Sequence, residues 1–201
     1  IAGADEAVSS LYSVKSEQAT MLSFDTYNYL VHYFGQPQGS MADDPNGTLG
    51  GDYEFVISDA TADRIELKGK KYGNRIVMKA FSADQTWKQY LTRIKKVEDD
   101  AFFYEYDLRM DGLYTGQMLR SNYTFIVTYY DEVGKVHQKT VPFMFTTDGM
   151  RFHEPVTIDG QTMQNFVWKN EEISFVCTDE GATGVKMKGI YIDGYQSYDY
   201  Y

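Results

Sequence analysis

The feature that most restricts this chain is a two-residue alternation of apolar and polar side chains, broken at short intervals by turn-forming pairs. Arg64-Ile65-Glu66-Leu67-Lys68 alternates without error, the pattern of a strand with one wet face and one dry face. Arg75-Ile76-Val77-Met78-Lys79 follows after Gly73-Asn74, a pair suited to the positive φ angles of a hairpin. Five Asp-Gly or Asn-Gly pairs, beginning at Asn46, Asp111, Asp148, Asp159 and Asp193, mark further tight turns. Short strands joined by such turns predict a mainly β protein, an antiparallel meander folded as a sandwich, a barrel-like closure or a curved sheet.

Other strands follow from the same reading. Tyr53, Phe55 and Ile57 share one face of Asp52–Ile57, and Thr20–Asp25 and Tyr29–Phe34 read as two strands around Thr26-Tyr27-Asn28. Tyr123–Tyr129 is β-branched and aromatic throughout, and it turns at Asp131–Gly134 into Val136–Phe145. One segment breaks the rhythm. Trp87, Tyr90, Leu91, Ile94 and Val97 recur at helical spacing, which predicts a central amphipathic helix at about 83–97 with Trp87, Leu91 and Ile94 buried. Ser82 followed by Gln85 suits a capping box at its start, and Asp84 suits the positive end of the helix dipole. The whole, 1–201, is expected to form a single β-rich unit, with an internal division into 1–98 and 99–201 as the alternative. Leu22–Thr26 followed by His32 also matches Phe143–Thr147 followed by His153 at constant offset, which raises a distant kinship of the halves.

Composition narrows the chemistry. Nineteen basic against twenty-nine acidic residues leave a charge of −10, which repels phosphate backbones and argues against nucleic acid as a partner. No apolar run approaches the ~20 residues of a membrane helix. The single cysteine, Cys177, leaves no disulfide framework and no multi-cysteine zinc site; it shares a face with Ile173 and Phe175 and reads as a small buried hydrophobe. His32, His137 and His153 fall on different predicted strands, and alternation places His153 with Arg151 on a wet face. No HExxH, GxSxG, Walker or GxGxxG pattern occurs. Asp43-Asp44-Pro45-Asn46-Gly47 begins like a calcium loop but lacks the later ligands, so a turn is expected. No metal, cofactor or disulfide requirement is expected.

Aromatic content is the unusual figure: eighteen Tyr, twelve Phe and two Trp. Phe55, Phe125, Phe143, Phe145, Phe166 and Trp87 lie on predicted buried faces. Tyr needs water or a partner for its hydroxyl, which suits rims and binding surfaces. Near the C-terminus Tyr195, Tyr198 and Tyr200 alternate with Gly194, Gln196, Ser197 and Asp199, which offer little apolar company. They are the candidate contacts for a glycan or a surface protein; a half-buried edge strand is the other reading.

Taken together, Leu22-Ser23-Phe24-Asp25-Thr26-Tyr27-Asn28, His32-Tyr33-Phe34 and Gly51-Asp52-Tyr53-Glu54-Phe55 resemble a family of Bacteroidetes surface lipoproteins known only as a domain of unknown function. Ile65–Asn74 and the Trp87 segment extend the likeness, as do Phe143–Met150 and Phe166-Val167-Trp168. The resemblance implies an exported protein at the outer membrane or cell surface of a Gram-negative bacterium. Ile1–Glu6 carry no secretory signal, so a lipid anchor, the one membrane contact expected, would lie upstream of Ile1. The resemblance names no catalytic residue. The expected function is a non-enzymatic glycan- or protein-binding component; the alternative is a polysaccharide or peptidoglycan hydrolase using a carboxylate pair.

Overall fold

The computed structural model describes residues 8–16, 19–36, 49–131 and 133–191. The chain divides into two compact units, 1–86 and 87–201. The division therefore falls before the central helix, which belongs with the second unit.

The first unit is an open antiparallel meander. Strands β1 (Tyr12–Ser16), β2 (Thr20–Phe24), β3 (Glu54–Ala60), β4 (Arg64–Gly69) and β5 (Arg75–Lys79) lie side by side in chain order. Among the described residues its buried apolar side chains are few: Met21, Phe55 and Leu67. Between β2 and β3 the chain forms helix α1 (Tyr29–Gly35), where alternation predicts a strand. The cause is local. Asn28 is extended (φ −129°, ψ 109°) and its side chain accepts from the Leu30 amide at 3.0 Å, a sound N-cap. Leu30, Val31 and Phe34 then share one helical face, so a seven-residue segment satisfies both periods and the cap decides. Tyr53, placed by alternation on one face with Phe55 and Ile57, precedes β3 and is exposed, whereas Phe55 is buried and Ile57 sits half-buried at a bulge.

The second unit is a closed eight-stranded barrel. Strands β6 (Glu105–Met110), β7 (Leu113–Ser121), β8 (Thr124–Tyr130), β9 (Val136–Phe145), β10 (Gly149–Ile158), β11 (Gln161–Lys169), β12 (Ser174–Cys177) and β13 (Val185–Ile190) pair in order, all antiparallel. β13 then returns to β6, with Lys186 opposite Arg109 and Met187 opposite Leu108. Eight strands leave an interior that side chains can fill. Tyr106, Leu108, Met118, Phe125, Phe143, Phe152, Phe175 and Met187 fill it, with Phe125 stacked on Phe143 at 4.4 Å. The outer wall carries Glu105, Asp107, Arg109, Lys186 and Lys188 at half-buried or exposed positions. A packed apolar interior is the reverse of the polar interior of a barrel that faces lipid. Two of the predicted turns have the positive φ pair of a type I′ hairpin: Asp111 (49°) with Gly112 (85°), and Asp159 (45°) with Gly160 (74°). The matched segments of the two halves have different fates. Leu22–Thr26 leads to a helix, whereas Phe143–Thr147 turns directly into β10, so the offset reflects no shared unit.

Helix α2 (Trp87–Asp100) starts four residues later than predicted. Ser82 and Gln85 instead close a separate turn, the Gln85 amide donating to the Ser82 carbonyl at 3.1 Å. The second half of α2 meets the barrel: Ile94 packs against the core, and Val97 and Ala101 are part of it. Trp87, predicted buried, is 66% exposed because it lies in the first turn, before the helix reaches that contact. Arg93 pairs with Asp148 at 2.6 Å and Glu98 accepts from the Tyr123 hydroxyl at 3.0 Å. Both partners lie in turns at one end of the barrel, so α2 closes that end. Beneath it Arg120 points inward with its side chain only 8% exposed. Its guanidinium lies 4.9 Å from the Phe102 ring and 5.1 Å from Phe145, and 3.6 Å from Glu98.

A core of this kind makes a sharp contrast between positions. Phe143→Ala should lower unfolding free energy by about 3–5 kcal/mol in a denaturant melt, whereas Val133→Ala, in an exposed turn, should change it by less than about 0.5 kcal/mol.

Candidate functional site

The first unit compensates for its small core with a polar knot. Asp52 is buried, and its Oδ1 accepts from the amides of Lys71 (2.8 Å) and Tyr72 (3.0 Å). Its Oδ2 accepts from the Asn74 amide (3.3 Å) and side chain (2.8 Å). One carboxylate thus organises the whole turn between β4 and β5, and Gly69 leaves it room, since a Cβ there would collide with Oδ2. Asn74 Nδ2 also donates to the Gly50 carbonyl at 2.6 Å. From the other side the Phe34 carbonyl accepts from Leu49 (3.1 Å) and Gly51 (2.9 Å), tying the last turn of α1 to the segment before β3 that carries Asp52.

This knot sets the walls of a groove of about 330 Å³. Leu30, Val31 and Phe34 of α1 line it together with Leu49, Phe55 and Ile76, while Asp52 and Asn74 contribute the polar atoms. Phe34 is 49% exposed although it stands on a capped helix. Beside the groove three rings form a ridge. His32 stacks on Tyr53 at 4.8 Å and meets Tyr27 at 5.4 Å, and its Nδ1 lies 3.1 Å from the Asn28 amide nitrogen. A smaller polar recess of about 120 Å³ adjoins Tyr53, lined by Gly35, Gly51, Glu54, Lys70 and Lys71.

The residues singled out from sequence are distributed differently. Tyr195, Tyr198 and Tyr200 lie outside the described residues, as do Asp43 and Asp44. Tyr191, the last described residue, is 75% exposed and sits edge-on to Phe103 at 5.1 Å. His32 stands on α1 rather than on a strand, His153 is exposed, and His137 Nε2 lies 2.8 Å from Asp131. Among the described residues no three His, Cys, Asp or Glu side chains converge on a metal-sized site. Cys177 is buried, and that burial pushes its thiol up to about 11, so it stays a protonated thiol at neutral pH.

The carboxylates with displaced ionisation, Asp25, Asp84, Asp131, Glu172 and Asp179, are all held below their ordinary values. His137 lowers Asp131, and Lys186, 2.6 Å away, lowers Glu172. Burial pushes Asp179 up, but the side chain and amide of Asn165 and the amide of Gln164, at 2.6–2.7 Å, outweigh it. These are the carboxylates of turns and strand ends, locked in their charged form.

A family described as "Domain of unknown function (DUF4302)" matches residues 1–170, and the chain belongs to it. No curated protein and no solved structure matches.

Two outcomes test these assignments. Asp52→Ala orphans several amides at once and should cost roughly 2–4 kcal/mol in a denaturant melt. Asp179 has a folded pKa below its unfolded one, so its contribution is complete above the ordinary aspartate value of 3.8 and is lost as pH falls through the folded value. Asp179→Asn should therefore lower stability at neutral pH and flatten the acid limb of a stability–pH curve measured by chemical denaturation.

Proposed function

We propose that this member of the family is a non-enzymatic binding component at the surface of a Gram-negative cell, holding a glycan or a protein without transforming it. The observation that carries this reading is the ring ridge Tyr27–His32–Tyr53 beside the apolar groove of Phe34, Leu30 and Ile76. Such rings bury large area on contact and lose little rotamer entropy, and here the Asp52 knot and the Asn28 cap already hold them in place. A pre-organised aromatic surface of this kind suits the face of a sugar ring or an apolar side chain of a partner. The carboxylates favour binding over hydrolysis. A general acid for glycoside cleavage needs a raised pKa, whereas the carboxylates displaced among the described residues are all lowered. Export and lipid anchorage, implied by the family resemblance, fit the same reading.

The test is a glycan array and a surface-display peptide screen run with the wild type, Phe34→Ala and Tyr53→Ala. A ligand retained by the wild type and weakened about tenfold by either variant supports the reading. Release of reducing ends from a bound polysaccharide would replace it with the hydrolase.

A further inference from the structure

The outer wall of the barrel holds a second surface with different chemistry. A cleft of about 490 Å³ is lined by Arg109, Lys186, Lys188, Ser174, Glu171 and Glu172. Register explains the gathering: Arg109 is opposite Lys186 across β6 and β13, and Lys188 is opposite Ser174 across β13 and β12. Paired residues of an antiparallel sheet share a face, so all four project outward together. Tyr114 of β7 pairs with Arg109 from the other side, is 54% exposed, and extends the same row.

The charges in this cleft are not all matched. Lys186 is neutralised by Glu172 at 2.6 Å, and Arg109 gives Nη2 to Asp107 at 3.0 Å. The Arg109 Nε is buried and has no hydrogen-bond partner. Lys188 is exposed, stands opposite Asp107 across β13 and β6, and makes no salt bridge among the described residues. An exposed ammonium with no salt bridge, beside a guanidinium whose Nε has no partner, gains from an added anion that supplements Asp107.

We infer that this cleft binds the anionic group of an acidic sugar, between Arg109 and Lys188, with Tyr114 presenting its ring to the sugar face. The inference rests on the binding reading above but uses a separate surface. Two features limit the ligand. The chain's charge of −10 repels densely anionic polymers, and Glu171 at the cleft disfavours a second negative group close to the first. Sugars with well-spaced carboxylates therefore fit better than highly sulfated chains or nucleic acid.

Titration calorimetry on the full chain with a short galacturonate oligomer, its methyl ester and sodium sulfate tests this. The free acid should bind about tenfold more tightly than the ester, and Lys188→Gln should erase that difference. Tyr114→Ala should weaken the acid oligomer and leave sulfate unchanged. Phe34→Ala, in the other unit, should leave all three alone. Equal binding of acid and ester, no effect of Lys188→Gln, or no binding of the acid would overturn the inference. Sulfate binding as tightly as the oligomer, with Tyr114→Ala silent, would reduce the site to a bare anion contact and equally overturn it. The groove reading has its own readout in Phe34→Ala, so either can fail alone.

Discussion

The pairing of β13 with β6 is the interaction on which the larger unit depends. It runs from Val185 opposite Met110 to Ile190 opposite Glu105, and it turns an eight-stranded meander into a ring without edges. Closure sets the radius, and the radius sets what can fill the interior. The stacked and edge-on rings of Tyr106, Phe125 and Phe143 follow from that limit. The same limit explains Arg120. At the closed end a chain of aromatic rings needs a cap, and a guanidinium over their faces, joined to Glu98 of α2, links the helix to the barrel. The family match stops at residue 170, yet β12 and β13, which complete the ring, follow it.

The first unit meets the opposite situation. An open five-stranded sheet with three buried apolar residues among those described has little hydrophobic stabilisation to draw on. Asp52 supplies part of what is missing through hydrogen bonds, and those bonds leave Leu30, Phe34 and Ile76 uncovered. The two units thus present different surfaces, one apolar and ring-bearing, one of charges of both signs set in register along a barrel wall.

What was legible in the sequence follows the same division. Tyr123 to Tyr129 announces a barrel strand by its β-branched and aromatic content, and Asp111-Gly112 and Asp159-Gly160 mark the β6–β7 and β10–β11 turns, whereas Tyr106 to Met110, which alternates as cleanly, is not singled out. Closure itself was left open among sandwich, barrel and curved sheet, since it depends on a pairing between distant strands. Alternation assigns α1 to a strand because seven residues carry too few periods to separate a strand from a helix, and the deciding Asn28 cap lies outside them. Arg120 occupies an inward position that alternation assigns to a hydrophobe, and only the rings around it make that tenable. The groove was invisible for a related reason. Its polar support joins Asp52 to amides some twenty residues away, and its wall includes a helix read as a strand. The anionic-sugar cleft needs the register of β6, β12 and β13, which no local pattern reports.

Closure by the last described strand also has a consequence for the order in which the molecule comes into being. β6 lies near the start of the barrel unit and its partner β13 lies roughly seventy-five residues later, so a nascent chain exposes a bare strand edge until nearly all of the barrel has been made. At the usual ~5–20 residues per second of synthesis, that interval is on the order of 4–15 s, far longer than a hairpin takes to form. Each neighbouring pair from β6 to β12 can zip as it emerges, but the ring cannot close early, and the high sequence separation of the final pairing makes it the slow event. The barrel is therefore a structure assembled by local steps and finished by one distant one, with its most aggregation-prone edge waiting on its latest strand.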